Sequence, residues 1–510
     1  MIDASIDASP LSRTDHPAEW RRVARRSSPS ILGDRVEPLH KHPQTTFFFS
    51  RNGYFGINSR TGMTDKHCDS PVFLAIPNNV EFSMYQLSLA FFWTSVGIAI
   101  HNTFWTVVIV GVMRNRRSAD VTPDEELPKA AVLLCLRGAD PSLPSCLRRL
   151  LRQDYPDYEL FVCVDSKSDP AWDVVQSTIL ELKARNIHVS PLRYRRSTCS
   201  LKCSSLVQLV DELNDSHEVI VLADADLESH PTWLRELVAP LADSRTGATF
   251  GNRWFLPAAA CFGSLVRQLW NAPGLVVMNT LEIPWGGSLA IRSDVFRRGG
   301  LRDIWTRSIV DDGPVRTAVK AQDLKLRYIP SVTMANREEC SLGSAYNFIR
   351  RQMTWTCTYV PLWWAALLIY SVACVGSWTA AVFLAVVCAF QGSLEAAAIF
   401  VAGATLLGTV SNVLWLILDL CVRRVIRGQG ESASTVWSRQ LIRLPIAMLV
   451  AGWVHVWAAV AATVRRKVIW RGVTYEIRGP SNIRLVDDLS LVNVGKTVEV
   501  SAALVTGKAA

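Results

Sequence analysis

Leu87 to Met113 is apolar almost throughout, broken only by His101 and Asn102. A run of about 27 residues spans a hydrocarbon core with tilt to spare. In lipid every backbone N–H and C=O needs a partner within its own element, so the segment has to be a helix. "RNRR", Arg114 to Arg117, follows it, and that basic flank places this end in the cytoplasm. Leu362 to Phe390 and Ala396 to Cys421 are two further runs of spanning length, joined by the turn "QGSLE", and "RRVIRG", Arg423 to Gly428, marks the return to the cytoplasm. A fourth run, Leu441 to Thr463, holds Pro445, Gly452 and His455 and precedes "RRKVIWRG". A full crossing there puts those basic residues outside, against the charge bias, so a bent or re-entrant segment is expected.

The remainder is organised around these segments. Residues 1–83 are rich in Arg, Ser, Pro and Asp without periodicity and read as a disordered, basic extension, with Met84 a candidate alternative start. Residues 84–117 read as the first membrane helix and its flank, 118–355 as a catalytic domain expected to face the cytoplasm, 356–463 as the second membrane region, and 464–510 as a tail expected on the same side. In the tail, "WRGVTYEIRG" reads as a short hairpin with a structural role. Asp419 lies at the cytoplasmic end of a span, either as a functional acid or as one solvated or paired to arginine. His455 reads as a packed or interfacial residue. The net charge of +9 is accounted for by the basic flanks, so nucleic acid is not an expected partner. The 12 cysteines show no CxxC and no zinc spacing, which fits free thiols in a reducing compartment.

Within 130–335, "AAVLLCL", "YELFVCVD", "EVIVLADAD" and "GATFGNRW" are short apolar runs, the first three alternating with helical stretches. That alternation predicts an α/β domain with a parallel sheet and crossover helices.

Three acidic groups follow apolar segments in this domain: Asp165, Asp169 and Asp173 in "DSKSDPAWDVV", Asp224 and Asp226 in "DADLES", and Asp311 and Asp312 in "SIVDDGPV". Each alone has a bland reading as a turn or helix cap. The sharper reading is a site at the carboxyl ends of the strands, where open α/β sheets bind ligands. In an extended chain, residues i and i+2 face the same way, so Asp224 and Asp226 would offer two hard oxygen ligands to a divalent cation.

The chain resembles the ceramide glucosyltransferases, family 21 glycosyltransferases. The resemblance runs over roughly 130–480, through "LRGADPSLPSCLRRLLRQDYPDYELFVCVDSKSDPAWDVV", "DADLESHPTWL", "PWGGSLAIRSDVFRRGGL", "VDDGPV", "RRQMTW", "LILD" and "WRGVTYEIRG". It implies a GT-A fold, a Rossmann-like domain that binds nucleotide-diphospho-sugars, here between N- and C-terminal transmembrane helices. It further implies that Asp169, with Asp165 close by, holds the base or ribose of a UDP-sugar and that Lys202 lies near the nucleotide. Asp224 and Asp226 would hold Mg²⁺ or Mn²⁺ on the diphosphate, and Gly286 and Gly287 would let backbone approach the sugar. Asp312, or its neighbour Asp311, would be the base, with Arg351 and Trp355 completing the site beside the membrane. The sequence departs from the family in two places: Thr354 stands where the final motif has arginine, and Ala272 where the family has histidine.

The expected protein is an integral membrane, inverting, metal-dependent enzyme moving a hexose, glucose foremost, from a UDP-sugar to a lipid hydroxyl, ceramide foremost. Its alternatives are the same chemistry on a diacylglycerol, hopanoid or polyprenyl phosphate, and a chain that lost turnover with Thr354.

Overall fold

The computed structural model describes residues 83–114, 122–257, 261–433, 438–464 and 466–488, together with the backbone of 45–49 and 55–59. The chain divides into two units, Met1–Glu81 and Phe82–Ala510. In the first, β1 (Thr45–Phe49) and β2 (Phe55–Ser59) pair antiparallel. The rest of the extension expected to be disordered lies outside the described residues.

The second unit opens with helix α1 (Met84–Arg114), which leads into a seven-stranded sheet. At its centre β3 (Ala130–Leu136) pairs in parallel with β4 (Tyr158–Val164) on one side and β6 (Val219–Ala223) on the other, and β5 (Ile187–Pro191) extends the β4 edge. Every residue of β6 is buried, as a central strand covered on both faces requires. Alternate residues of β3 enter opposite layers. Val132, Leu134 and Leu136 pack with α2 (Leu143–Leu150), α3 (Pro170–Leu182) and α5 (Trp233–Val238). Ala131 and Leu133 pack with α4 (Leu201–Asp211) and α6 (Phe262–Thr280).

The sheet is mainly parallel, as expected, and one strand reverses. β8 (Ser288–Arg292) runs antiparallel between β6 and β7 (Thr246–Phe255), while β9 (Lys325–Asn336) pairs in parallel with β7. The reversal has a consequence for the site. Because Ser288 lies opposite Ala223, the start of β8 meets the end of β6, and Gly287 O accepts a hydrogen bond from Asp224 N–H at 3.4 Å. Three short helices, α7 (Ser293–Arg298), α8 (Leu301–Trp305) and α9 (Gly313–Lys320), complete this face, followed by α10 (Leu342–Tyr359).

Three helices follow: α11 (Pro361–Phe390), α12 (Leu394–Gly428) and α13 (Ser438–Val464). Among the described residues, four helices are long and apolar enough to cross a membrane: α1, α11, α12 and Leu441–Val464 of α13. The run expected to bend or re-enter is thus one continuous helix, with Pro445 in its first turns. Both of its ends nevertheless adjoin the sheet domain. Before it, Glu431 pairs with Arg149 and, at 3.4 Å, with Arg337. After it, β10 (Lys467–Trp470), β11 (Val473–Gly479) and β12 (Asn482–Asp488) form a three-stranded antiparallel sheet, one strand more than the expected hairpin. That sheet buries Val468, Val473, Tyr475 and Ile477 against Leu201, Ile309 and Val310 of the domain.

Candidate active site

The parallel strands deliver their carboxylates to one edge of the sheet. Asp224 follows β6, and its Oδ1 accepts from Lys202 Nζ of α4 at 2.7 Å. The same ammonium lies 2.9 Å from Asp311 Oδ2. Burial opposes the charge on Lys202, but Asp224 and Asp311 outweigh it and hold the ammonium well above the usual lysine range. Burial likewise opposes ionisation of Asp224, yet Lys202 holds this carboxyl below the usual range. Asp226 goes the other way: burial, then the neighbouring Asp224 charge, raise it. Its Oδ2 accepts from Asn336 Nδ2 at 3.0 Å and lies 3.8 Å from Arg253.

Asp311 and Asp312 precede α9, and the backbone sends their side chains to different partners. Asp311 is 4% exposed and tied to Lys202. Asp312 Oδ1 caps α9 by accepting from Gly313 N–H at 2.7 Å, and its Oδ2 accepts from Gly286 N–H at 3.1 Å. Burial, then the charge of Asp311, raise Asp312 to about 7. Gly286 and Gly287 are expected to make room for a sugar, but the space beside them belongs to protein. A Cβ on Gly286 would sit 2.1 Å from Asp311 Oδ2, and one on Gly287 would sit 2.2 Å from the Trp285 ring and 2.6 Å from Asp224 Oδ2. The two glycines are therefore what lets the carboxylates converge.

Asp165 and Asp169 form a second group, at the end of β4. Asp169 caps α3 through Ala171 N–H at 2.9 Å, and both its oxygens accept from Gly138 N–H at 3.0 Å. Asp165 is held in an ion cluster, 2.5 Å from Arg137 and 3.0 Å from Arg195. Both arginines also reach Asp488, the last residue of β12, at 2.6 and 2.8 Å. The tail sheet thus closes over this group, and Arg471, at the β10–β11 turn, reaches Asp140 at 2.5 Å.

The motif "RRQMTW" lies on α10. Thr354 is 4% exposed and turned back on its own helix, donating to Arg350 O at 2.9 Å. Arg351 stacks on Phe348, and burial, then Arg253 and Arg471, push its guanidinium down to about 10. Trp355 lies 6.2 Å from the Trp470 ring and, with Asp312, Trp285 and Arg253, lines a cavity of about 2160 Å³. That cavity continues between α1, α11 and α12, along Trp105, Tyr370 and Thr409. Arg253, Asn336 and Asp488 were not singled out in the sequence. Only Arg253, two residues from the end of a strand at the same edge, carried a positional signal.

Among the described residues no cluster of three or more His, Cys, Asp or Glu could hold a metal ion. Two carboxylates are enough when phosphate and water complete the shell of a hard divalent cation. Asp224 and Asp226 are the residues that would take that role: burial, then the Asp224 charge, raise Asp226, and a bound cation would offset both.

The site is thus a strand-edge cluster of carboxylates and one lysine, with Asp312 on the wall of an apolar cavity. The chain belongs to glycosyl transferase family 21, whose family model matches residues 93–483. Ceramide glucosyltransferases of Pyricularia oryzae and Komagataella phaffii are 29% identical over 104 residues and 30% identical over 93. These stretches cover 17% and 16% of this chain and span only about a fifth of the curated relatives, 21% and 18%. Among solved structures, a mannosyltransferase from Pyrobaculum calidifontis in complex with GDP-Man and Mn²⁺ has a TM-score of 0.39 at 15% identity, covering 75% of this chain and 98% of that one. Glucosyl-3-phosphoglycerate synthase from Mycobacterium tuberculosis, in complex with Mn²⁺ and UDP-glucose, has a TM-score of 0.31 at 15% identity, covering 48% and 82%. The α/β fold class expected from the sequence, flanked by membrane-length helices, is the one the chain adopts.

Proposed function

We propose that this glycosyltransferase moves a hexose, glucose foremost, from a UDP-sugar to the hydroxyl of a membrane lipid, with inversion at the anomeric carbon. The position of Asp312 carries the reading. One carboxylate, raised to about 7, stands on the wall of an apolar cavity that continues among the membrane helices. A lipid whose chains occupy that cavity would bring its headgroup hydroxyl to Asp312. General bases work best with a pKa near the operating pH. Asp312 would take the hydroxyl proton as the oxygen attacks the anomeric carbon, and UDP would leave from the opposite face.

Gly286 and Gly313 N–H groups orient the Asp312 carboxylate, and Lys202 fixes Asp224 and Asp311 on either side of itself. Asp224 and Asp226 would hold Mg²⁺ or Mn²⁺, which when bound neutralises charge on the departing diphosphate. Asp169 and Asp165, one strand beyond β3, would lie under the nucleoside. Ceramide is the foremost acceptor because the named relatives are ceramide glucosyltransferases. The purified protein, incubated with a panel of UDP-sugars and defined lipids, should yield a lipid heavier by one hexose by mass spectrometry. Release of free sugar alone, with every lipid unchanged, would count against the reading.

A further inference from the structure

Arg253 is held by its surroundings more tightly than a surface arginine needs. It sits on β7 next to Trp254, whose buried indole donates to Asp419 at 2.9 Å, and neighbouring strand residues face opposite ways. Its own N–H donates to Asn252 Oδ1 at 2.7 Å, and its carbonyl accepts from Asn271 Nδ2 at 3.0 Å. The guanidinium rests against three rings, 5.2 Å from the centroid of Phe348, 5.3 Å from Trp285 and 5.6 Å from Phe255.

Its polar side meets only one carboxylate, and that at long range. The nearest carboxylate, Asp226, lies at 3.8 Å, beyond hydrogen-bonding distance. Arg351 rests on the same Phe348 ring at 5.6 Å, where burial, then the charges of Arg253 and Arg471, weigh against its own charge. Each guanidinium carries five N–H donors in a planar fork suited to phosphate. Two partly buried guanidiniums beside one ring are costly unless an anion joins them.

We propose that Arg253 and Arg351, gathered on the ring of Phe348, clamp the diphosphate of the nucleotide donor. The proposal rests on the nucleotide-sugar reading above and adds the residues that grip the leaving group. It also accounts for Thr354. That side chain is bonded to its own helix and offers no cation, whereas Arg253 comes from β7 to rest on Phe348 of the same helix. Arg253 lines the cavity together with Asp312, so the clamp adjoins the carboxylate that would receive the acceptor proton.

The test uses the full chain in lipid nanodiscs with Mn²⁺, measuring binding of UDP and of uridine by calorimetry. Arg253→Ala should weaken UDP binding about 10- to 100-fold, the scale of a lost charge-assisted pair, and change uridine binding less than about twofold. Arg351→Ala should do the same. Arg253→Lys, which keeps the charge and loses the fork, should fall in between, and it carries the test if the alanine variant does not fold. UDP binding unchanged in the variants overturns the clamp while leaving the nucleotide reading in place. A parallel loss of uridine binding assigns Arg253 a packing role and also overturns it. Wild-type protein that binds neither UDP nor uridine overturns the nucleotide reading and the clamp together.

Discussion

Turnover should depend on pH through the neutral range because of Asp312. Its carboxyl is raised to about 7, first by burial and then by the charge of Asp311. At pH 6 only about a tenth of such carboxylates are ionised, and at pH 8 about nine-tenths, so kcat/KM should fall about tenfold per unit below the midpoint. Asp311→Asn removes the second cause and leaves the first. The midpoint should therefore move down yet stay above the ordinary carboxylate range, each unit corresponding to about 1.36 kcal/mol. Folding responds with a defined sign. The folded pKa exceeds the unfolded one, about 3.9. The group's contribution to stability is complete below the unfolded value and is lost as pH rises through about 7. The assay is the initial rate of lipid glycosylation from pH 5 to 9 at fixed Mn²⁺, for wild type and Asp311→Asn. A flat profile across the neutral range, or an upward shift in Asp311→Asn, would refute the reasoning.

Asp224→Asn keeps the shape and removes the charge shared with Lys202, and it should cut turnover by about 100-fold or more. The same variant should lose Mn²⁺-dependent UDP binding in titration, and retained activity in excess chelator would count against the cation reading. Asp419 is fully buried and accepts from Trp254 at 2.9 Å, Gln268 at 3.2 Å and Arg423 at 2.6 Å. Asp419→Ala should cost about 3–5 kcal/mol by removing a buried ionic partner of Arg423, and Asp419→Asn less, in thermal unfolding of detergent-solubilised protein. In whole cells a cysteine in the Gln391–Ser393 turn should react with an impermeant reagent, and one at Arg471 should not. The latter follows because both ends of α13 adjoin the sheet domain, so that helix would lie along the bilayer; labelling at Arg471 would make it a crossing.

The parts of this architecture that were legible in the sequence are those with a local signature. The buried runs of β3, β4 and β6, each ending in a polar residue at the sheet edge, announce their elements and their ends. The length and apolarity of α1, α11 and α12 do the same. The antiparallel β8 was not legible, because "SLAIR" is five residues long and apolar runs carry no direction. The Asp488 contacts with Arg137 and Arg195 join residues roughly three hundred positions apart and leave no local pattern. Asp419 was legible as a choice between two readings, and the ion pair with Arg423 four residues on decides for pairing. The glycines at 286 and 287 were legible as a close approach, but the approaching groups, Asp311 and Asp224, could be named only once β8 was set against β6.

The central claim is that Asp312 serves a lipid hydroxyl at the mouth of the membrane cavity. Asp312→Asn retains an oxygen that can accept from Gly286 and Gly313, so the local fold should persist. Wild type and variant should be compared in nanodiscs containing ceramide, with UDP-glucose as donor, reading glycosylated lipid by mass spectrometry and UDP affinity by calorimetry. The account predicts that kcat falls by about 10²–10⁴-fold while UDP affinity changes less than about twofold. Glycosylated lipid formed at the wild-type rate by Asp312→Asn would contradict it.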